Sequence, residues 1–136
     1  MTFSRFIAAI VWWIMITILL CLPGSTIPKS TFLQAIHADK WVHILLFFTG
    51  TCLLAWPALR SGLPQRKKMA WFCLVTASGI LFGISMEFVQ EYWVINRSFE
   101  LADIFADSAG CLLALAVVVI RGKKIGPDRN RDRNQN

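Results

Sequence analysis

Carboxylates are scarce in this sequence. It holds eight Asp and Glu against fourteen Lys and Arg, and charged residues make up only 16% of the chain while apolar ones make up 56%. Soluble globular domains carry about 25% charged residues, so this composition excludes an ordinary water-soluble domain and indicates an integral membrane protein. Other absences narrow the chemistry. The four cysteines (Cys21, Cys52, Cys73, Cys111) have no CxxC spacing and no adjacent His, which excludes a zinc motif and leaves them as small apolar residues. The two histidines, His37 and His43, are not at ligand spacing; of the roles open to His43 (general base, helix-packing hydrogen bonder, metal ligand), metal ligand ranks last, and no cofactor is expected. No Ser, Cys or Thr sits in an activated-nucleophile motif. The net charge of +6 comes without a nucleic-acid-binding motif, so no nucleic-acid partner is expected.

The sequence does contain four apolar runs, each near the ~17–25 residues that a membrane helix needs. They cover Phe6 to Leu22, Asp39 to Trp56, Met69 to Gln90 and about Leu101 to Ile120. A cleaved signal peptide is the rival reading of the first, but the small residues of a cleavage site are missing, so an uncleaved helix is preferred. Pro23-Gly24-Ser25 and Pro28 then end that helix, and Pro57 ends the second before a basic loop. The expected architecture is all-α: a four-helix transmembrane bundle over 1–120, followed by a basic, disordered tail over 121–136.

Eleven of the fourteen Lys and Arg fall at residue 5, in the 60–68 loop or in the tail. By the positive-inside rule both termini are then cytoplasmic. Asp39, Lys40 and His43 share the outer face with the stretch Glu87 to Gly110, which alone carries five of the eight carboxylates (Glu87, Glu91, Glu100, Asp103, Asp107). Ionisable groups in membrane segments are costly and usually mark a working site.

Residues three, four and seven apart share a helix face. This aligns Asp39, His43, Phe47 and Gly50; Gly79, Gly83, Glu87 and Gln90; and Asp103, Asp107, Gly110 and Ala114. Small residues at such spacing let helices approach closely, so the three polar groups point into one bundle interior. Counting back from Arg121 at ~1.5 Å per residue puts Asp107 roughly 20 Å from the inner edge of a ~30 Å core. The expectation is an outward-facing cup with Asp107 at its floor, His43 on Asp107, and Arg97 folded back onto Asp103 or Glu87. Lys40 is read as snorkelling to the surface, and Glu91 and Glu100 as solvated loop charges.

With these residues laid out, the chain resembles the VanZ-like membrane protein family. The correspondence runs through Leu22-Pro23, Asp39-Lys40 with His43 and Phe47, Glu87 with Gln90, and Arg97-Ser98-Phe99 leading to Asp103 and Gly110. Asp107 stands where the family usually has Asn, and Ala102 where a second acidic residue often precedes Asp103. The resemblance implies a protein of the bacterial cytoplasmic membrane, in a family whose named member is associated with low-level resistance to the glycopeptide teicoplanin.

Two classes of function follow. In the first, Asp39, Lys40, His43, Glu87, Gln90, Arg97, Asp103 and Asp107 bind or shield a membrane lipid or lipid-linked envelope precursor. In the second, Glu87, His43 or Asp107 does acid–base chemistry on a lipid head group. The missing nucleophile favours binding. Four helices with no internal repeat are too few for a repeat-built transporter unless the chain forms a homo-oligomer or joins a partner membrane protein.

Overall fold

The computed structural model describes residues 3–23 and 37–125. These are helical, with no strand among them. A 3-10 turn, Phe3–Phe6, leads into α1 (Ile7–Leu20); α2 (Ala38–Leu59), α3 (Gln65–Trp93) and α4 (Leu101–Ile125) follow. In apolar surroundings each backbone N–H and C=O must find its partner within its own segment, which is why the apolar runs become helices. α2, α3 and α4 are long and apolar enough to cross a membrane, whereas the first apolar helix, Ser4–Leu20, is shorter.

Three boundaries differ from the sequence reading. α2 passes Pro57 and ends at Leu59. Proline there removes one N–H from the ladder, but the last turn still closes through Arg60 N–H to Trp56 C=O at 3.1 Å, and Ala55, Ala58 and Leu59 bury against Phe72 and Val118. α3 begins at Gln65, directly after Pro64, whose carbonyl accepts the Lys68 N–H at 3.1 Å; the Lys68 ammonium turns inward to the Leu59 carbonyl at 3.2 Å, while Arg66 and Lys67 stay exposed. α4 continues through Ile125, with Gly122 packed near Phe72 and Leu59. The rest of the expected tail, 126–136, and the expected Pro28 turn lie outside the described residues, as does most of the Pro23-Gly24-Ser25 break.

Glycines set how closely the helices approach. A Cβ on Gly110 of α4 would run into the Ile44 carbonyl oxygen of α2 and come within 3.0 Å of the Phe48 nitrogen, so α2 and α4 touch backbone to backbone. On α3, a Cβ at Gly83 would lie 2.7 Å from Asp107 Oδ2, and one at Gly79 would lie 2.8 Å from Cys111 Sγ. These are the close approaches that small residues permit where lipid gives no hydrophobic drive for association.

α1 is held by polar ties and rings. Trp12 Nε1 donates to the Leu46 carbonyl at 3.0 Å, and Gln90 Nε2 donates to the Leu20 carbonyl, also at 3.0 Å. Trp13 stacks edge-on against Phe47 and Phe82 at 5.6 and 4.9 Å between ring centroids.

Candidate functional site

The α3–α4 loop explains why the carboxylates gather. Asn96 adopts a left-handed backbone at φ 58, a conformation in which Asn is enriched, and the chain reverses there. Two α3 carboxylates then receive the loop's N–H groups: Phe99 N–H donates to Glu91 Oε2 at 2.6 Å, and Glu100 N–H donates to Glu87 Oε2 at 2.8 Å. Both anions therefore lie just before the N-terminus of α4, where the helix dipole favours negative charge.

Lys40 of α2 closes the group from above. Its ammonium contacts Asp39 Oδ2 at 2.9 Å, Glu100 Oε2 at 2.5 Å and, through a short contact, Asp103 Oδ1. Beneath it, His43 Nδ1 lies 2.9 Å from Asp107 Oδ1, and His43 Nε2 lies 3.9 Å from Asp103 Oδ2. Exposure falls steadily inward. The side chains of Asp39 and Glu100 are each 52% exposed, that of Lys40 19%, and those of Asp103, His43 and Asp107 between 2% and 6%. Thus the expected open cup is filled by its own side chains, with Lys40 across the mouth.

At the floor, Asp107 Oδ2 is buried without a hydrogen-bond partner and faces Gly83. Just below, Thr51 Oγ1 donates to Cys111 Sγ at 3.4 Å.

The structure brings Asp39, Lys40, His43, Asp103 and Asp107 into one network, with Glu87 linked to it through Glu100. Gln90 and Arg97 are placed elsewhere. Gln90 is buried but turns its amide to the end of α1. Arg97 does not fold back onto Asp103 or Glu87: no ion pair involves it among the described residues, and its buried Nε has no partner. Lys40 has taken that role, because the first turn of α2 lies directly against the start of α4. For the same reason Lys40 does not snorkel into solvent. Glu100 was missed as a site residue. Its signal lies in its position directly before the fourth apolar run, at a helix start, where the dipole favours a carboxylate and Asp103 follows within the first turn.

Oxygens of Asp39, Glu100 and Asp103 lie within 4.8 Å of one another and could hold a metal ion. The Lys40 ammonium already contacts all three, so a cation of the chain's own serves that charge.

An all-helical chain with three helices of membrane-spanning length, carrying a buried ionisable network near one end of the bundle, has the features of a helical membrane protein. Over 86 residues, 63% of its length, it is 31% identical to an uncharacterized protein of Schizosaccharomyces pombe. The match takes in 49% of that protein, so the chain spans about half the length of the curated relative it matches. No family model and no solved structure matches the chain.

Proposed function

We propose that this chain is a VanZ-like protein of the bacterial cytoplasmic membrane, with four transmembrane helices and both termini inside. Its outward-facing network binds the head group of a membrane lipid or lipid-linked envelope precursor, and through that ligand the protein influences glycopeptide (teicoplanin) sensitivity. The observation that carries this reading is the Lys40 ammonium bound by Asp39, Glu100 and Asp103. Five carboxylates (Asp39, Glu87, Glu100, Asp103, Asp107) surround one lysine and one histidine, and that lysine is already engaged. Such a site suits a ligand that brings amine or hydroxyl donors and disfavours one that brings a bare anion. Similarity to a fission-yeast protein weighs toward a chemistry that yeast and bacterial membranes share, such as an amine-bearing phospholipid head group.

The alternative is an enzyme in which His43 acts as general base. Asp107 orients His43 through Nδ1, as such a role requires. The other ring nitrogen, however, faces Asp103 beneath Lys40, and a substrate would first have to displace both. Binding is the better reading of that geometry.

The test is to purify the full chain with native lipid, identify retained lipids by native mass spectrometry, and compare Asp103→Asn, Asp107→Asn and Lys40→Met. An amine-bearing lipid should be retained by the unaltered chain and lost from Asp103→Asn. Equal retention in all variants would sink the reading. Turnover of labelled lipid by the unaltered chain, lost in His43→Ala, would establish the enzyme instead. In cells, altered teicoplanin sensitivity in the same variants ties the site to resistance.

A further inference from the structure

The opposite end of the bundle has a different electrostatic character. Arg5, Arg60, Arg66, Lys67, Arg121 and Lys123 are all exposed there, and none forms an ion pair among the described residues. Every described carboxylate lies in the first turn of α2, the last two turns of α3, the first two turns of α4 or, for Glu100, just before α4, at the other end of these helices from the cations.

Packing draws the cations together. Gly122 of α4 lies where an added Cβ would be 3.7 Å from Leu59 of α2 and 3.8 Å from Gln65 of α3, and Lys68 joins α3 to α2 through the Leu59 carbonyl. Phe6 stacks on Trp71 at 6.0 Å, which brings the start of α1, with Arg5, to the same junction.

The first turn of α3 sharpens the point. It has no acidic residue, and its N-cap, Pro64, provides no side-chain hydrogen bond. Instead Arg66 and Lys67 follow directly. Cations at the positive pole of a helix are unfavourable, whereas a phosphate there is favoured by both the dipole and the free N–H groups. Across four helix ends, six exposed cations therefore surround a position that calls for anions and receives none from the described residues.

We infer that this basic end is a docking surface for anionic phospholipid head groups of the adjoining leaflet. Charge complementarity selects the occupant: helices of membrane-spanning length place their ends in the head-group layer, where acidic phospholipids supply phosphate at high local concentration. The inference rests on the membrane-spanning reading of α2, α3 and α4, and not on the ligand proposed for the acidic network.

The experiment uses the full chain in nanodiscs made from phosphatidylcholine and phosphatidylglycerol, with the co-purifying lipid counted by native mass spectrometry. The unaltered chain should retain phosphatidylglycerol over phosphatidylcholine, and Arg66→Gln/Lys67→Gln should lower that preference about 25-fold, given a contribution of roughly fivefold per basic residue near the surface. Raised salt should weaken the preference, because exposed charges are screened. Arg121→Gln/Lys123→Gln on α4 is the second variant, and it decides the matter alone if the first fails to fold. No preference in the unaltered chain, or an unchanged preference in every variant that folds, overturns the inference. Full displacement of the lipid by inorganic phosphate also overturns it, because the surface would then be a free-phosphate site. Asp103→Asn leaves this end intact and should keep the phosphatidylglycerol preference, so failure here is distinguishable from failure of the head-group reading at the acidic end.

Discussion

The two ends of the bundle use charge in opposite ways. At the acidic end Lys40 meets three carboxylates and His43 sits between Asp107 and Asp103, so the charges are directed at one another across α2 and α4. At the basic end the exposed cations have no carboxylate among the described residues. One network is internal and carries stability or specificity; the other faces whatever adjoins the protein. A lysine in each place, Lys40 and Lys67, is the same chemical group with different consequences, because a buried pair broken on one side leaves an uncompensated charge while an exposed charge is solvated in any case.

Backbone contact gives the widest contrast between the ends. Gly110→Leu puts a side chain against the Ile44 carbonyl and the Phe48 nitrogen, and backbone cannot rotate out of the way. It should destabilise the bundle by more than about 3 kcal/mol, above the usual range for overpacking, with loss of cooperative thermal unfolding in detergent by far-ultraviolet circular dichroism. Gly122→Ala at the other end meets its nearest neighbour, Phe72, at 3.6 Å, which is ordinary contact. It should be neutral, or stabilising by up to about 1 kcal/mol through helix propensity. Equal effects at the two positions would mean that α2 and α4 do not touch at Gly110.

Lys40→Met removes the cation but keeps the length of the side chain. Asp103 is left almost fully buried without its partner, at a cost of about 2–3 kcal/mol, below the range for a fully buried pair because Asp39 and Glu100 are half exposed. A drop in melting temperature that Asp103→Asn largely restores in the double variant would show that the loss comes from this contact. A Lys40→Met protein as stable as the original would leave the network with no structural role. Next in size is Gln90→Leu, which removes the amide hydrogen bond to the Leu20 carbonyl at the end of α1. About 1 kcal/mol should be lost, with faster proteolysis near residue 20 than elsewhere.

Much of this plan was legible in the sequence, for identifiable reasons. Helical phasing put His43 and Asp107 on inward faces, and period and depth together brought two residues 64 positions apart to 2.9 Å. Gly83 and Gly110 were legible because small residues on a polar face have few other uses in a membrane helix. The choice between Lys40 and Arg97 as partner for Asp103 was not. Both are single cations at the same end, and the decision depends on the backbone turn at Asn96 and on how the start of α2 meets α4, neither of which is periodic. Glu87 and Glu91 as acceptors for loop N–H groups escaped for the same reason, since capping across a seven-residue loop follows from its path and not from spacing along one helix. Pro57 and the charge after Ile120 look like stops in the sequence, whereas packing of Leu59 and Gly122 carries each helix on.

The smallest expected effect on stability is the most informative about the basic end. Arg66→Gln/Lys67→Gln should change the melting temperature in neutral detergent by an amount corresponding to less than about 0.5 kcal/mol, as for exposed substitutions without partners, and the sign should be stabilising. Both cations lie in the first turn of α3, where the dipole opposes positive charge, so removing them relieves a repulsion worth a few tenths of a kcal/mol per residue at low salt. In anionic lipid the sign should reverse, because the same cations then gain head-group partners that glutamine cannot hold. A variant more stable in neutral detergent and less stable in phosphatidylglycerol than the original chain would mean that these residues are retained against the local interest of their helix. A variant less stable in both would assign Arg66 and Lys67 a partner inside the protein, and the contrast between the two ends would fail at its basic half.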